Sequence, residues 1–188
     1  TVQANTTAGF SIVQYTGTGS NATVGHGLSS APEWMLFKNL DDGNEGWPVY
    51  HKNLTSAAYI LALNNTNAEA STPSDFNSTA PTSSVLSVGT NARTNSSSVR
   101  YLAYCWHGVD GFSKFGKYTG NGSTDGPFIY TGFKPAWIMT KSVSTTTNWN
   151  ILDTTRSPIN PINDRIKANA TSAEDTARTF DFLSNGFK

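Results

Sequence analysis

Two short stretches mix indole rings with polar groups in the manner of sugar contacts: Trp47-Pro48-Val49-Tyr50-His51 and Trp149-Asn150-Ile151-Leu152-Asp153. Sugars bind through ring faces stacked on Trp or Tyr, with nearby polar side chains fixing the hydroxyls. Trp47, Tyr50 and His51 in one stretch, and Trp149 and Asp153 in the other, are therefore the candidate ligand-binding residues. The same two indoles also suit a packed core, the commoner fate of large aromatics at patterned positions. Trp34, Trp106 and Trp137 read as core outright.

Other chemistry fails on residue type or spacing. Glycoside hydrolysis needs two carboxylates about 5 to 10 Å apart across a cleft. Here Asp41, Asp42 and Glu45 share one turn, and Glu174 and Asp175 share a short helix candidate. A nucleophilic triad needs Ser or Cys beside a base. The histidines are His26, His51 and His107; Gly25-His26-Gly27 reads as a turn, and no pair has metal-binding spacing. Asp41-Asp42-Gly43-Asn44-Glu45 gathers hard oxygens as a calcium loop does, yet the matching stretch Ser144-Thr145-Thr146-Thr147-Asn148 has no carboxylate. A solvated turn is the reading. Cys105, within Tyr101-Leu102-Ala103-Tyr104-Cys105-Trp106, reads as a buried inert thiol. No catalytic residue, metal or cofactor is expected.

Composition narrows the classes further. The 188 residues carry 13 Lys plus Arg against 13 Asp plus Glu, with 14% charged. A nucleic acid or anionic membrane partner asks for a basic face, which this balance does not supply. No apolar run nears the roughly 20 residues of a membrane helix, so no membrane insertion is expected. Aromatics at 12%, with five Trp, argue for a packed domain rather than disorder. One cysteine excludes an intrachain disulfide. The start, Thr1-Val2-Gln3, lacks the basic-then-apolar pattern of a signal peptide and reads as a mature form or a piece of a longer chain.

The elements that must position these residues repeat. Gly9-Phe10-Ser11, Tyr15-Thr16-Gly17-Thr18-Gly19-Ser20 and Pro32-Glu33-Trp34-Met35-Leu36-Phe37-Lys38 return as Gly111-Phe112-Ser113, Tyr118-Thr119-Gly120-Asn121-Gly122-Ser123 and Pro135-Ala136-Trp137-Ile138-Met139-Thr140-Lys141, about 103 residues on. The Gly-containing turns supply the positive φ of tight hairpins. Phe10 to Tyr15 reads as a half-buried strand, and Lys114 to Tyr118 as a weaker one. Trp34-Met35-Leu36-Phe37 fits a strand covered on both faces. Residues 58–63, 84–88 and 99–106 read as further strands, residues 64–83 as a surface loop, and residues 172–178 as about two helical turns. Short strands split by Gly, Asn, Pro and Ser predict an all-β fold of β-sandwich or jelly-roll type. It would be built from two sequence-related halves, residues 1–107 and 108–188, packed into one unit. The second half shows no counterpart of Tyr101 to Trp106. This predicts a sheet edge completed by further chain or by another molecule.

Several phrases resemble a β-rich domain of bacteriophage virion proteins, common in marine and cyanobacterial phages. They are Gly9-Phe10-Ser11-Ile12-Val13, Tyr118-Thr119-Gly120-Asn121-Gly122-Ser123, Gly126-Pro127-Phe128-Ile129-Tyr130-Thr131-Gly132-Phe133-Lys134-Pro135-Ala136-Trp137 and Asp181-Phe182-Leu183-Ser184-Asn185-Gly186-Phe187. The resemblance covers nearly the whole chain from Gly9 and brings no catalytic motif. It implies a non-enzymatic structural or adhesive component of a virion surface, in a tail fibre or on a capsid. Its partners would be copies of itself, other virion proteins or a host-surface glycan. The rival reading is a secreted or cell-surface carbohydrate-binding module, glycosylated among its Asn-x-Ser/Thr sites at Asn5, Asn21, Asn53, Asn64, Asn77, Asn95, Asn121 and Asn169.

Overall fold

The computed structural model describes all 188 residues, Thr1–Lys188. In chain order the elements are β1 (Val2–Asn5), β2 (Phe10–Thr16), β3 (Ala22–Gly25), β4 (Trp34–Asn39), β5 (Pro48–His51), β6 (Tyr59–Ala62), β7 (Ala70–Ser71), α1 (Pro73–Phe76), β8 (Val85–Val88), α2 (Ala92–Asn95) and β9 (Arg100–Trp106). They continue with β10 (Ile129–Tyr130), β11 (Trp137–Thr140), β12 (Asn150–Asp153), β13 (Arg165–Lys167), β14 (Phe182–Leu183) and β15 (Gly186–Phe187). The protein is all-β, with two four-residue helices.

A seven-stranded antiparallel sheet runs β1-β2-β9-β4-β5-β6-β7. Its strands form because β-branched and aromatic side chains alternate between two faces. On β9, Tyr101, Ala103 and Cys105 are fully buried on one face, while Leu102, Tyr104 and Trp106 project to the other. The first face meets Leu86 and Val88 of the two-stranded β3–β8 sheet, and Phe76 of α1. The second face meets the second half of the chain: Trp34, Leu36, Val49 and Leu61 pack with Trp149, Met139 and Phe115. Hence β4 is buried along both sides, as its unbroken apolar run predicts. Backbone bonds also join the halves, from Glu69 N–H to Val143 C=O and from Thr147 N–H to Thr66 C=O, both 2.9 Å.

The second half is built from two three-stranded sheets, β11-β12-β13 and β10-β15-β14. Ile138, Leu152, Ile162, Phe182 and Phe187 form a small core between them.

Three local expectations change. Residues 172–178 are not helical. Asp175 exchanges backbone hydrogen bonds with Arg165 (2.8 and 3.1 Å), and its carboxylate accepts from Arg165 Nε (2.9 Å) and Lys167 Nζ (2.6 Å). Two isolated helical turns cannot offset such pairing, since helix nucleation is unfavourable. The stretch 64–83 is not a plain loop. It adds β7 to the sheet edge and folds α1, with Pro73 in the first turn and Asn77 closing it at φ 51°. Phe76 then reaches the core, against Phe37 and Tyr50 at 5.2 and 5.9 Å between ring centroids. Finally, Lys114 to Tyr118 is not a paired strand: no residue from Lys114 to Phe128 makes a backbone–backbone hydrogen bond.

Truncating the one ring that this polar stretch contributes, Phe76→Ala, should destabilise the fold by about 3–5 kcal/mol. Urea unfolding checks this, and a loss below about 1 kcal/mol would mean that α1 is dispensable. Hydrogen bonds from Arg165, and then Lys167, hold the Asp175 carboxyl well below the usual carboxylate range. A carboxyl whose folded pKa lies below its unfolded value, near about 4, contributes stability above that value. That contribution is lost as pH falls through the folded pKa. Acidification from about pH 5 to about pH 2 should therefore cost the parent chain more than Asp175→Asn, read as unfolding midpoints at both pH values. Equal losses would refute the linkage.

Candidate functional site

The five residues expected to contact ligand do not come together. Trp149 is 3% exposed, with its Nε1–H donating to Ala62 C=O at 2.9 Å. An indole wedged between the halves has no free face for a sugar. Asp153 is buried too. Its Oδ1 accepts from the backbone of Thr155 (3.0 Å) and Arg156 (2.9 Å), and its other oxygen pairs with the Arg156 guanidinium. Tyr50 is buried on the other face of the large sheet, edge-on to Phe76. Only Trp47 and His51 keep partial access. Lys38 Nζ lies 5.3 Å from the Trp47 ring centroid. His51 Nδ1 accepts from Asn53 N–H at 3.0 Å, and burial, followed by the Lys52 charge, pushes its pKa down. His51 is therefore a neutral, structurally engaged ring. Packing accounts for this placement: Tyr50 belongs to the core on one face of the large sheet and Trp149 to the core on the other.

The remaining reactive types are also occupied. His26 is fully buried; its Nε2 lies 3.1 Å from Thr82 C=O, and its Nδ1 accepts from Leu28 N–H at 3.1 Å. Burial drives its pKa down. Cys105 is buried, and desolvation pushes its thiol up to about 12, which leaves almost no thiolate at neutral pH. No three His, Cys, Asp or Glu side chains lie together so as to hold a metal ion. The Asp41–Glu45 turn is organised by protein groups: Asn39 Oδ1 accepts from Asp41 and Asp42 N–H, and Asp41 pairs with Arg100. Among the Asn-x-Ser/Thr positions, Asn95 is buried, with its Nδ2 donating to Ser20 and Gly89 C=O at 2.6 Å.

What is exposed is a set of rings that the motifs did not flag. Every strongly exposed aromatic of the chain falls between residues 112 and 137: Phe112, Tyr118, Phe128, Tyr130 and Trp137. Trp137 is 54% exposed, whereas Trp34 is 8% exposed. The expectation that Trp137 belongs to the core is thus overturned. Lys114 Nζ stands 5.0 Å from the Tyr130 ring centroid. Phe128 lies across Gly186, where any Cβ would come within 2.8 Å of the ring. Lys114, which stands over Tyr130, also lines a small polar depression with Glu33, Lys52, Asp110, Ser113 and Thr131. Such a surface can stack against flat apolar groups and make cation–π contacts.

The difference between Trp34 and Trp137 lies in their neighbours, not in their own strands. Trp34 lies opposite His51, Met35 opposite Tyr50 and Leu36 opposite Val49. Trp137, Ile138 and Met139 face Asp153, Leu152 and Ile151 in the same register. Lys52 N–H donates to Glu33 C=O as Thr154 N–H donates to Ala136 C=O. Ile60 opposes Ala70 as Arg165 opposes Asp175. On its other side, however, β4 pairs with β9, while β11 is the last strand of its sheet.

Acrylamide quenching checks this distribution of indoles. Trp137→Phe should remove most of the quencher-accessible emission, and Trp149→Phe very little. The reverse order would place the exposed aromatic surface elsewhere.

No curated protein and no solved structure matches the chain. A family model does match, over residues 1–188. The chain thus belongs to the DUF7483 family, described as a domain of unknown function.

Proposed function

We propose that the chain is a non-enzymatic structural and adhesive module of a bacteriophage particle, displayed in a tail fibre or on the capsid surface. Its two halves are versions of one strand plan, and the second half makes the outward contacts. The observation that carries this reading is the concentration of exposed rings in residues 112–137. Aromatics left in water cost free energy unless a partner covers them, and aromatic side chains are enriched where proteins meet. The supporting observation is how the acids are used. Asp41, Asp75, Asp153 and Asp175 each pair with an arginine, and Glu33 with Lys52. Carboxylates neutralised in this way serve the fold rather than acid–base chemistry. Repetition over a symmetric particle would turn weak ring contacts into firm attachment by avidity.

The rival reading, a carbohydrate-binding module, draws on the same rings, because an indole or phenol face also stacks on a sugar. Two measurements separate the readings: light scattering of the purified chain with particle incorporation, and binding to a glycan array. The paired substitution Phe128→Ala and Tyr130→Ala should reduce self-association or incorporation by at least tenfold in a chain that circular dichroism shows to be still folded. Loss of glycan capture alone, with assembly intact, would favour the rival. A chain that stays monomeric at high concentration, enters no particle and captures no glycan would remove both.

A further inference from the structure

One strand edge in the second half is open where the corresponding edge in the first half is filled. In the first half, Trp34, Met35 and Leu36 of β4 lie opposite Trp106, Cys105 and Tyr104 of β9. The Trp106 ring sits between Phe10 and Trp34, with centroids 4.7 Å from each. In the second half, Phe112 and Trp137 occupy the repeat positions of Phe10 and Trp34, and both rings are exposed. No ring stands beside Trp137 as Trp106 stands beside Trp34.

The backbone agrees with the side chains. The bond from Thr154 N–H to Ala136 C=O sets the alternation along β11. Ile138 and Thr140 direct their amide groups to β12, and Trp137 and Met139 direct theirs to the open side. There they meet no backbone partner. An unpaired edge is a template for an added strand.

We propose that the β11 edge binds an extended strand of β9 chemistry. That strand pairs antiparallel with Trp137–Thr140 and lays an indole against Trp137. This deepens the assembly reading above, and rests on it, by naming the partner as a strand with aromatics at alternate positions. The occupant is argued from the chain itself, because β9 fills the equivalent edge of β4 with Leu102, Tyr104 and Trp106 on the shared face.

The test uses the full chain and a labelled peptide of residues 98–108 in which Cys105→Ser prevents oxidation. In the first half, Leu102, Tyr104 and Trp106 turn their amides toward β4, whereas Tyr101, Ala103 and Cys105 turn theirs toward β2. Peptide N-methylated at Leu102 and Tyr104 should therefore bind at least tenfold more weakly than the parent peptide. Methylation at Tyr101 and Ala103 should change binding less than threefold. Trp137→Ala should weaken the parent peptide about tenfold, and amide shifts in the chain should centre on Trp137–Thr140. Equal binding of the two methylated peptides, shifts centred elsewhere, or pairing of two β11 edges that leaves no peptide uptake would each overturn the proposal. If the peptide fails while Phe128→Ala with Tyr130→Ala still abolishes assembly, the strand proposal falls and the aromatic-surface reading stands.

Discussion

The large sheet depends on β9 being paired on both sides. This strand lies between β2 and β4, matched to β2 from Phe10–Trp106 to Thr16–Arg100 and to β4 from Trp34–Trp106 to Asn39–Tyr101. β2 precedes β9 by some 80 residues of chain, so the closure cost is entropic and must be met by contacts along the whole strand. Those contacts are of two kinds. On one face Ala103 and Cys105 join the core beneath β8 and α1, and Tyr101 is buried with its ring stacked on Tyr15. On the other, Trp106 and Tyr104 build a row of rings with Phe10 and Trp34. Tyr101 adds a polar anchor. Its hydroxyl donates to Ala92 C=O at 2.6 Å and accepts from Ser96 N–H at 2.8 Å, which ties α2 to the sheet. A buried phenol is tolerated because its oxygen is satisfied in this way. The turn that brings the chain alongside is equally constrained, for a Cβ on Gly17 would fall 2.1 Å from Ser96 C=O.

The consequence for the second half follows from what β9 supplies to the first. β11 pairs antiparallel with β12, and Asp175 bridges to Arg165 of β13. Yet β4 is buried along nearly its whole length, and β11 begins with an exposed indole. Trp137 and Phe112 are exposed, and the chain from Lys114 to Phe128 makes no backbone–backbone hydrogen bond. What remains is held by other means. Phe115 and Met139 borrow burial from the face of the large sheet, and Arg165 and Lys167 clamp Asp175.

The sequence was legible wherever one physical rule acted alone. Period-two alternation marked β2 and β9, and the unbroken run Trp34-Met35-Leu36-Phe37 marked a strand covered twice. It was illegible wherever a distant partner decided. A lone Phe76 in a polar stretch carries no periodicity, and only the hollow beneath Phe37 and Tyr50 gives it a place. Residues 172–178 look helical by local preference, but ion pairs to a strand ten residues away hold them extended. Trp137 has the signature of a core residue, but β11 ends its sheet and the ring stays exposed. The candidate sugar contacts are kept apart for a related reason: Tyr50 and Trp149 belong to different cores on opposite faces, which spacing along the chain cannot reveal.

Charge narrows how such a surface can recognise anything. With 13 cations against 13 anions, and with Arg93, Arg100, Arg156, Arg165 and Lys167 already paired internally, little net field is left to steer a partner. Long-range attraction falls away within about 8 Å at physiological salt in any case. On the proposed reading, recognition rests on short-range terms, namely ring stacking and backbone pairing, which act only on contact and demand shape. A cation set against a ring, as Lys114 is against Tyr130, adds direction without adding reach. Contacts of this kind are weak singly and gain strength through repetition, which is why the proposed role depends on avidity.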